Sequence, residues 1–177
     1  MDETKESQAN ILCKACGLCC TGHLFIWAKL RPAELEPAES LGLTVFRSDP
    51  TQRGFSQPCP LWQGQCTIYE SPQYPHVCRS YKCKLLKEML AEVTSLPESL
   101  KMVEQAKAMI EKLEALLPGS PTVNFRERLV EQLEKLQHRE KPDSQGTTGT
   151  EFQLKAQALL DYYECVFGVD DLVEKAE

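Results

Sequence analysis

Apolar and polar positions follow two different patterns along this chain. After residue 83, apolar residues recur at intervals of three and four, which places them on one face of a helix. Before residue 84, apolar residues form short runs that Pro, Gly and Cys interrupt. The pattern predicts an α-rich protein, with a small irregular α+β domain over residues 1–83 and an antiparallel helical extension over residues 84–177. The extension should hold three to four helices.

Four helical segments are expected in the second half. One begins at residue 84, and a second begins at Ser95, which forms a capping box with Glu98. Pro118 ends the second helix, and residues 142–150 form a polar linker before a last helix that begins at Thr150. The apolar stripes of the last three helices are, in order, Met102, Val103, Ala106, Met109, Ile110, Leu113, Leu116 and Leu117; Phe125, Leu129, Leu133 and Leu136; and Leu154, Ala158, Tyr162, Cys165 and Val166.

The first half is harder to divide into elements. We expect a leader over residues 1–12, a cysteine loop over residues 13–23 and a short strand over residues 24–27. A short helix should begin at Pro32 and end before Gly42, with a second strand over residues 43–46. Residues 48–75 are rich in Pro, Gly, Gln and Ser and predict a long loop.

Charge and hydropathy exclude two classes of partner. The net charge of −6 resides in the helical half, and no basic stripe is present, so we expect no nucleic-acid partner. No apolar run is long enough to cross a bilayer, so no membrane partner is expected. The acidic N-terminus does not resemble a secretory signal, which predicts a cytoplasmic protein with reduced thiols.

The number and spacing of the cysteines indicate metal-binding chemistry. Eight of the nine cysteines lie in the first 83 residues, and four of them form a C-x2-C-x2-C-C run. Spacings of two residues let one loop direct several thiolates at a single ion or cluster. We therefore predict that all eight hold a metal ion or an iron–sulfur cluster: Cys13, Cys16, Cys19, Cys20, Cys59, Cys66, Cys78 and Cys83.

The number and kind of centres stay open at this point. Cys13, Cys16 and Cys19 reproduce the start of the bacterial ferredoxin run, which favours an iron–sulfur cluster over zinc. Side chains of the adjacent Cys19 and Cys20 diverge, so the thiols could form two four-cysteine sites or one site with spare thiols. Zinc remains the alternative cofactor, and a disulfide framework is the third possibility.

Other residues near the cysteines have expected structural roles. Gly17 should allow a backbone turn between ligands. Trp62, Tyr69 and Tyr81 should shield the site from water. Cys165 is expected to be a small buried side chain on the last helix.

The spacing of the cysteines and the residues between them resemble the CxxCxxCC cysteine-cluster family (YkgJ-type). Members of this family are described as zinc- or iron-chelating and often as iron–sulfur proteins. Its pattern of CxxCGxCC and GxCxIYE is matched at residues 13–20 and 64–70, Cys59-Pro60-Leu61 resembles its CPxL element with Leu one position earlier, and its closing cysteines correspond to Cys78 and Cys83. Ser71 stands where the family commonly has Arg. The resemblance implies metal chelation through the same eight cysteines.

Function follows only in outline. We expect a metal-binding protein with an accessory, redox or partner-binding role and a protein partner that the sequence does not identify. One alternative is a structural zinc module for protein interaction. Larger relatives include flagellin lysine methylases, so an enzyme related to protein lysine methylation is another. The chain has no S-adenosylmethionine motif, which favours a non-catalytic role.

Overall fold

A computed structural model describes residues 7–137 and 146–169. In these ranges the protein is mainly helical, with one small antiparallel sheet, which confirms the predicted fold class. The helices are α1 (Gln8–Cys16), α2 (Leu35–Ser40), α3 (His76–Ser80), α4 (Lys84–Leu90), α5 (Leu96–Glu114), α6 (Phe125–Gln137) and α7 (Gly146–Tyr162). The strands are β1 (Trp27–Lys29), β2 (Val45–Phe46) and β3 (Gly54–Ser56).

Helix α1 corrects the predicted leader and cysteine loop. Residues 8–16 are helical, so Cys13 and Cys16 project from a helix rather than from a loop. The Ser7 side chain accepts a hydrogen bond from the Asn10 amide at 3.3 Å, and Gly17 ends the helix in the left-handed conformation. Both signals stand in the sequence, but the density of cysteines between them obscured the helix. The first six residues of the predicted leader lie outside the described residues.

The sheet places its third strand between the other two, in the order β1-β3-β2. The predicted strand over residues 24–27 lies two to three residues too early, because β1 spans Trp27–Lys29. Strand β3 lies within the predicted loop of residues 48–75, so that expectation was also wrong there. It carries no alternating pattern, and Gly54 is needed because a Cβ at this position would lie 2.2 Å from the Ala28 carbonyl oxygen.

Two apolar cores hold the elements together. The larger core joins α1 to the helices after residue 83, through side chains such as Leu12, Leu85, Val103 and Leu159. The smaller core lies under the sheet and includes Leu35, Leu43 and Phe55. Since α1 packs against α4 and α5, the large core draws on both halves of the sequence, and the domain boundary near residue 83 stays a prediction.

The predicted helices after residue 83 are present, but the last one buries a different face. The capping box of Ser95 and Glu98 opens α5, and the predicted stripes of α5 and α6 face the core. Helix α7 already includes Gly146, so Thr150 lies inside it rather than at its start; residues 142–145 of the predicted linker lie outside the described residues.

The sequence prediction is most clearly wrong about which face of α7 is buried. Leu154 is 68% exposed and Cys165 is exposed, whereas the buried side chains are Phe152, Ala156, Leu159, Tyr163 and Phe167. The sequence of α7 is apolar on several sides, so two stripes fit helical spacing, and the aromatic stripe buries more area. A π-helical turn over Tyr163–Phe167 continues the helix, and Cys165, two residues after the buried Tyr163, faces away from the core.

No helix within residues 7–137 and 146–169 combines the length and hydropathy needed to cross a membrane.

Candidate metal centre

Four thiols gather where α1 meets α4, and we call them the first quartet: Cys13, Cys16, Cys19 and Cys83. Cys13 and Cys16 lie three residues apart on α1, on the same side of its last turn. Cys19 follows in the turn after Gly17, and Cys83 lies directly before α4, which packs against α1. The charge of Cys83 acts on each of the other three thiols, which places the four side chains together.

The other four thiols gather beside the sheet and form the second quartet: Cys20, Cys59, Cys66 and Cys78. The charges acting most strongly on Cys20 are those of its three partners in this quartet. The Cys59 amide donates to the Cys20 carbonyl oxygen at 2.7 Å, which joins the loop after β3 to the end of the C-x2-C-x2-C-C run. Cys78 lies on the short helix α3.

Adjacent Cys19 and Cys20 thus belong to different quartets. Cys16, Cys19 and Cys83 pack against the larger core, whereas Cys59 and Cys78 pack against the smaller one. The two quartets adjoin, because the charge of Cys20 acts on Cys19 and that of Cys16 acts on Cys20. The two side chains of this dipeptide therefore belong to different groups of thiols.

A largely apolar cavity of about 300 Å³ lies between the quartets. Every one of the eight cysteines except Cys59 lines it. Trp62, Tyr69 and Tyr81 also line it, as expected from the sequence. Thiols of both quartets therefore share one cavity with these three aromatic side chains, although Tyr81 is 40% exposed.

Burial raises the pKa of every thiol in the two quartets, and neighbouring thiols add to the effect at Cys13, Cys16, Cys19, Cys20, Cys59 and Cys78. The pKa of Cys13 rises to about 11, and those of Cys16 and Cys78 rise to about 12. Burial in apolar surroundings disfavours the thiolate, and a like charge nearby disfavours it further. A bound cation has the opposite effect, so metal binding at these positions would release protons.

Backbone amides are already directed at several of the sulfur atoms. Cys16 accepts a hydrogen bond from the Leu18 amide, and Cys66 accepts one from the Ile68 amide. Cys59 accepts from the amides of Leu61 and Trp62, while the amides of α4 reach Cys83. Such N–H···S hydrogen bonds stabilise the thiolate form of the sulfur, and they are the kind of contact that surrounds metal-bound cysteines.

Several side chains from distant parts of the chain reach the quartets without any signal in the sequence. Lys107 on α5 donates to the Ala15 carbonyl oxygen at 2.7 Å, and its charge lowers the pKa of Cys16. Tyr163, in the π-helical turn, is also close enough for the Cys16 charge to act on it. Both residues lie more than ninety positions from Cys16 along the chain, so no spacing rule could have identified them.

His23 has structural partners. Its Nδ1 atom lies 2.7 Å from the Thr21 hydroxyl, and its ring packs against that of Phe125 in a tilted arrangement with centroids 4.9 Å apart. Burial lowers the pKa of His23 to about 4, so the imidazole is neutral at neutral pH. These contacts agree with a packing role for this side chain.

The donor set fits a thiophilic metal. All nine cysteines are free thiols, and thiolates select zinc and iron–sulfur clusters. Within the described ranges, however, no three His, Cys, Asp or Glu side chains already form a group that could hold a metal ion. A single ion would need the sulfur atoms of a quartet to move closer together.

One family model matches the chain. It is the CxxCxxCC model, described as "Putative zinc- or iron-chelating domain", and it covers residues 12–109. The match spans more than half of the sequence and includes all eight cysteines of the two quartets. No curated protein and no solved structure gave a significant match.

Proposed function

Because the chain belongs to the CxxCxxCC family of metal-chelating domains, we propose that it holds two metal centres, one in each cysteine quartet, and that these centres are iron–sulfur clusters. The observation that carries the proposal is the division of eight thiols into two groups of four, one with three members packed against the larger core and the other with two members packed against the smaller core. Bound clusters would supply one-electron redox chemistry, which suits an accessory or redox role with a protein partner in the cytoplasm.

The order of the cysteines supports clusters rather than two separate zinc ions. In two-cluster bacterial ferredoxins, the first three cysteines of a C-x2-C-x2-C run hold one cluster, and the fourth cysteine of the run holds the other. Here Cys13, Cys16 and Cys19 gather with the distant Cys83, while Cys20 turns to the second quartet. In both cases, the last cysteine of the run belongs to the neighbouring site and not to the site of the first three.

Zinc is the second candidate, because four thiolates also form a closed structural zinc site. In that case the centres would crosslink α1, α3 and α4 and would carry no electron. The family description covers both metals, so the distinction depends on chemical analysis.

The test is metal and sulfide analysis, with a visible spectrum, on full-length protein purified without oxygen. We expect iron, acid-labile sulfide and a brown colour. Cys83→Ala and Cys78→Ala should each remove about half of the metal, since each opens one quartet, whereas Cys165→Ala should remove none because Cys165 is exposed and outside both quartets.

Three outcomes would contradict parts of the proposal. Stoichiometric zinc without sulfide would overturn the iron–sulfur assignment and leave the two centres. Complete loss of metal in both single variants, with the fold retained, would indicate one shared centre. Metal content that is unchanged in either variant would show that the quartets are assigned wrongly.

A further inference from the structure

A positively charged segment joins the two cysteine quartets. It spans residues 79–87, directly after Cys78 of the second quartet, and it contains Cys83 of the first. We call this segment the basic ridge. Four of its nine residues are basic and none is acidic: Arg79, Lys82, Lys84 and Lys87. The whole stretch between Glu70 and Glu88 holds no Asp or Glu, although the chain has a net charge of −6.

The four basic residues of the ridge are exposed, and three of them have no ion pair. The Lys84 ammonium group lies 3.7 Å from the Glu88 carboxylate and donates to the Cys165 carbonyl oxygen at 2.7 Å. In the part of the chain that the structure describes, no carboxylate oxygen lies within 4.0 Å of the charged groups of Arg79, Lys82 or Lys87. The ridge therefore presents positive charge that the protein itself does not neutralise.

Tyr81 lies in the middle of the basic ridge and connects its surface to the cavity between the quartets. The side chain lines this cavity together with the cysteines, and the residue is 40% exposed. Its ring meets that of Phe25 edge-on, with centroids 5.2 Å apart. The Arg79 guanidinium lies over the ring of Tyr74, which also lines the cavity, 5.8 Å from its centroid. A molecule bound to the ridge would therefore contact the wall of the candidate metal centre.

We propose that the basic ridge is the docking surface for an acidic electron-transfer protein. The inference rests on the proposed function, because it names the partner that a redox role of the clusters requires. One electron passes from the reduced carrier to an oxidised cluster, which leaves the carrier oxidised and the cluster reduced, and no bond forms or breaks.

The size and composition of the ridge suit this kind of partner. Electron-transfer proteins associate through small interfaces, under about 1,200 Å² in total, and complementary charge sets the rate of their encounter. Aromatic and Arg side chains are common at the centre of such contacts, and the ridge supplies both in Tyr81 and Arg79. The electron also has the shortest way to travel where the partner lies over the wall of the site.

The charge of the rest of the chain favours a compact acidic protein over nucleic acid. Residues 84–177 carry twelve Lys and Arg against eighteen Asp and Glu, so a polyanion longer than the ridge would also meet acidic helices. An acidic patch of the ridge's own size avoids them. At an ionic strength of about 0.1 M the Debye length is about 10 Å, so such a patch is attracted by the ridge and is screened from more distant carboxylates.

The experiment uses an acidic plant-type ferredoxin as the probe and measures its binding to the full-length, metal-loaded protein by calorimetry. The affinity should fall steeply between ionic strengths of about 0.1 M and about 1 M, because the Debye length falls to about 3 Å. Lys82→Glu/Lys87→Glu reverses two unpaired charges and leaves the contacts of Arg79 and Lys84 in place. This double variant should weaken binding at about 0.1 M by about 10-fold or more.

Lys135→Glu/Lys155→Glu is the matched control, because it changes the net charge by the same amount. These two lysines form exposed ion pairs with Glu131 and Glu151 on α6 and α7. Lys155 lies about 15 Å along the helix from Cys165, where α7 meets the ridge. The control variant should bind the ferredoxin as the wild type does, and both double variants should keep the wild-type metal content.

Two further measurements do not depend on the folding of a variant or on binding alone. Carbodiimide crosslinking of the wild type to the ferredoxin joins lysines to carboxylates, and the crosslinks should map to Lys82, Lys84 or Lys87. In protein that carries clusters, reduced ferredoxin should reduce the wild type faster than Lys82→Glu/Lys87→Glu, by about the factor seen in binding. Photoreduced deazaflavin, a small neutral reductant, should reduce both proteins at the same rate.

The inference would be overturned if the ferredoxin did not bind at about 0.1 M ionic strength, if the two double variants weakened binding equally, or if the crosslinks lay outside the ridge. Tighter binding of a short DNA duplex by the same lysines would also overturn it. Failure of the proposed function is a separate result, because metal analysis would then show zinc or no metal in place of iron and sulfide, and the electron transfer would fail with it.

Discussion

Replacement of Gly17 by Ala tests how closely the Trp62 loop of the second quartet packs against the end of α1. Gly17 ends α1 with φ 68°, a conformation that side chains other than glycine rarely adopt. A Cβ at this position would lie 2.1 Å from the Trp62 ring, far inside van der Waals contact. The indole belongs to the loop between Cys59 and Cys66, which are members of the second quartet. Because Gly17 has no side chain, this loop can pack against the end of α1.

The expected loss of stability has two parts. A non-glycine residue in the left-handed region destabilises the fold by about 1–2 kcal/mol. Displacing the indole from a packed position adds about 1–3 kcal/mol. The smaller entropy of the unfolded alanine chain offsets about 0.4–1 kcal/mol. Gly17→Ala should therefore lower the free energy of unfolding by about 1–5 kcal/mol.

Urea denaturation of the metal-free protein measures this change, and Gly42→Ala is the matched control. Gly42 has φ 90°, but no atom lies within 4 Å of a Cβ built there, so this variant carries the backbone strain alone. We expect it to lose about 1 kcal/mol. In a Trp62→Ala background, Gly17→Ala should cost about as little as Gly42→Ala, because the obstructing ring is gone.

The reasoning would be refuted if Gly17→Ala were no more destabilising than Gly42→Ala, or if the Trp62→Ala background did not reduce its effect. Either result would mean that the indole does not pack against Gly17 in solution.

Two further predictions concern residues outside the quartets. Burial lowers the pKa of His23 from 6.5 to about 4, so as the pH falls the unfolded chain takes up the imidazole proton before the folded chain does. Up to about 3 kcal/mol of stability that is present above pH 6.5 should therefore be lost as the pH falls to 4. His23→Gln should flatten the pH dependence of the unfolding free energy over that interval, and an unchanged slope would contradict it. Asn124 accepts from the Arg126 amide at 2.8 Å and donates to the buried Gln57 carbonyl at 3.0 Å, so Asn124→Ala should cost about 2–4 kcal/mol through a lost cap and an unpaired carbonyl. Ser95→Ala removes an exposed cap and is the control; it should lower the stability by about 1 kcal/mol. If Asn124→Ala and Ser95→Ala had equal effects in a thermal denaturation series, the Gln57 contact would contribute nothing.

Local sequence signals predicted the elements whose causes are local. The capping box at Ser95 and the stripe from Val103 to Leu113 depend on residues within a few positions of each other, and α5 ends at Glu114, a few residues before the predicted end at Pro118. The α-rich class and the family followed from the same kind of signal, because periodicity and cysteine spacing are properties of short segments. These features need no knowledge of what packs against them.

The face of α7 and strand β3 could not be read in this way. Two apolar stripes run along α7, and the choice between them depends on α5, against which α7 packs. Strand β3 forms because β1 and β2 lie on either side of it, not because its own residues favour a strand. Where a segment has several acceptable conformations, its distant neighbours decide among them.

For the site, the sequence by itself determined the eight thiols, the turn at Gly17 and the chemistry that thiolates favour. Only the tertiary structure decided how the thiols are grouped, since it brings Cys83 to α1 and turns Cys20 toward the second quartet. It alone also brings the Lys107 ammonium group to the Ala15 carbonyl oxygen, next to Cys16 in the chain. The physical reason is that ligand identity is a property of single residues, whereas grouping depends on which helices share a core, and that is settled by burial summed over the whole chain.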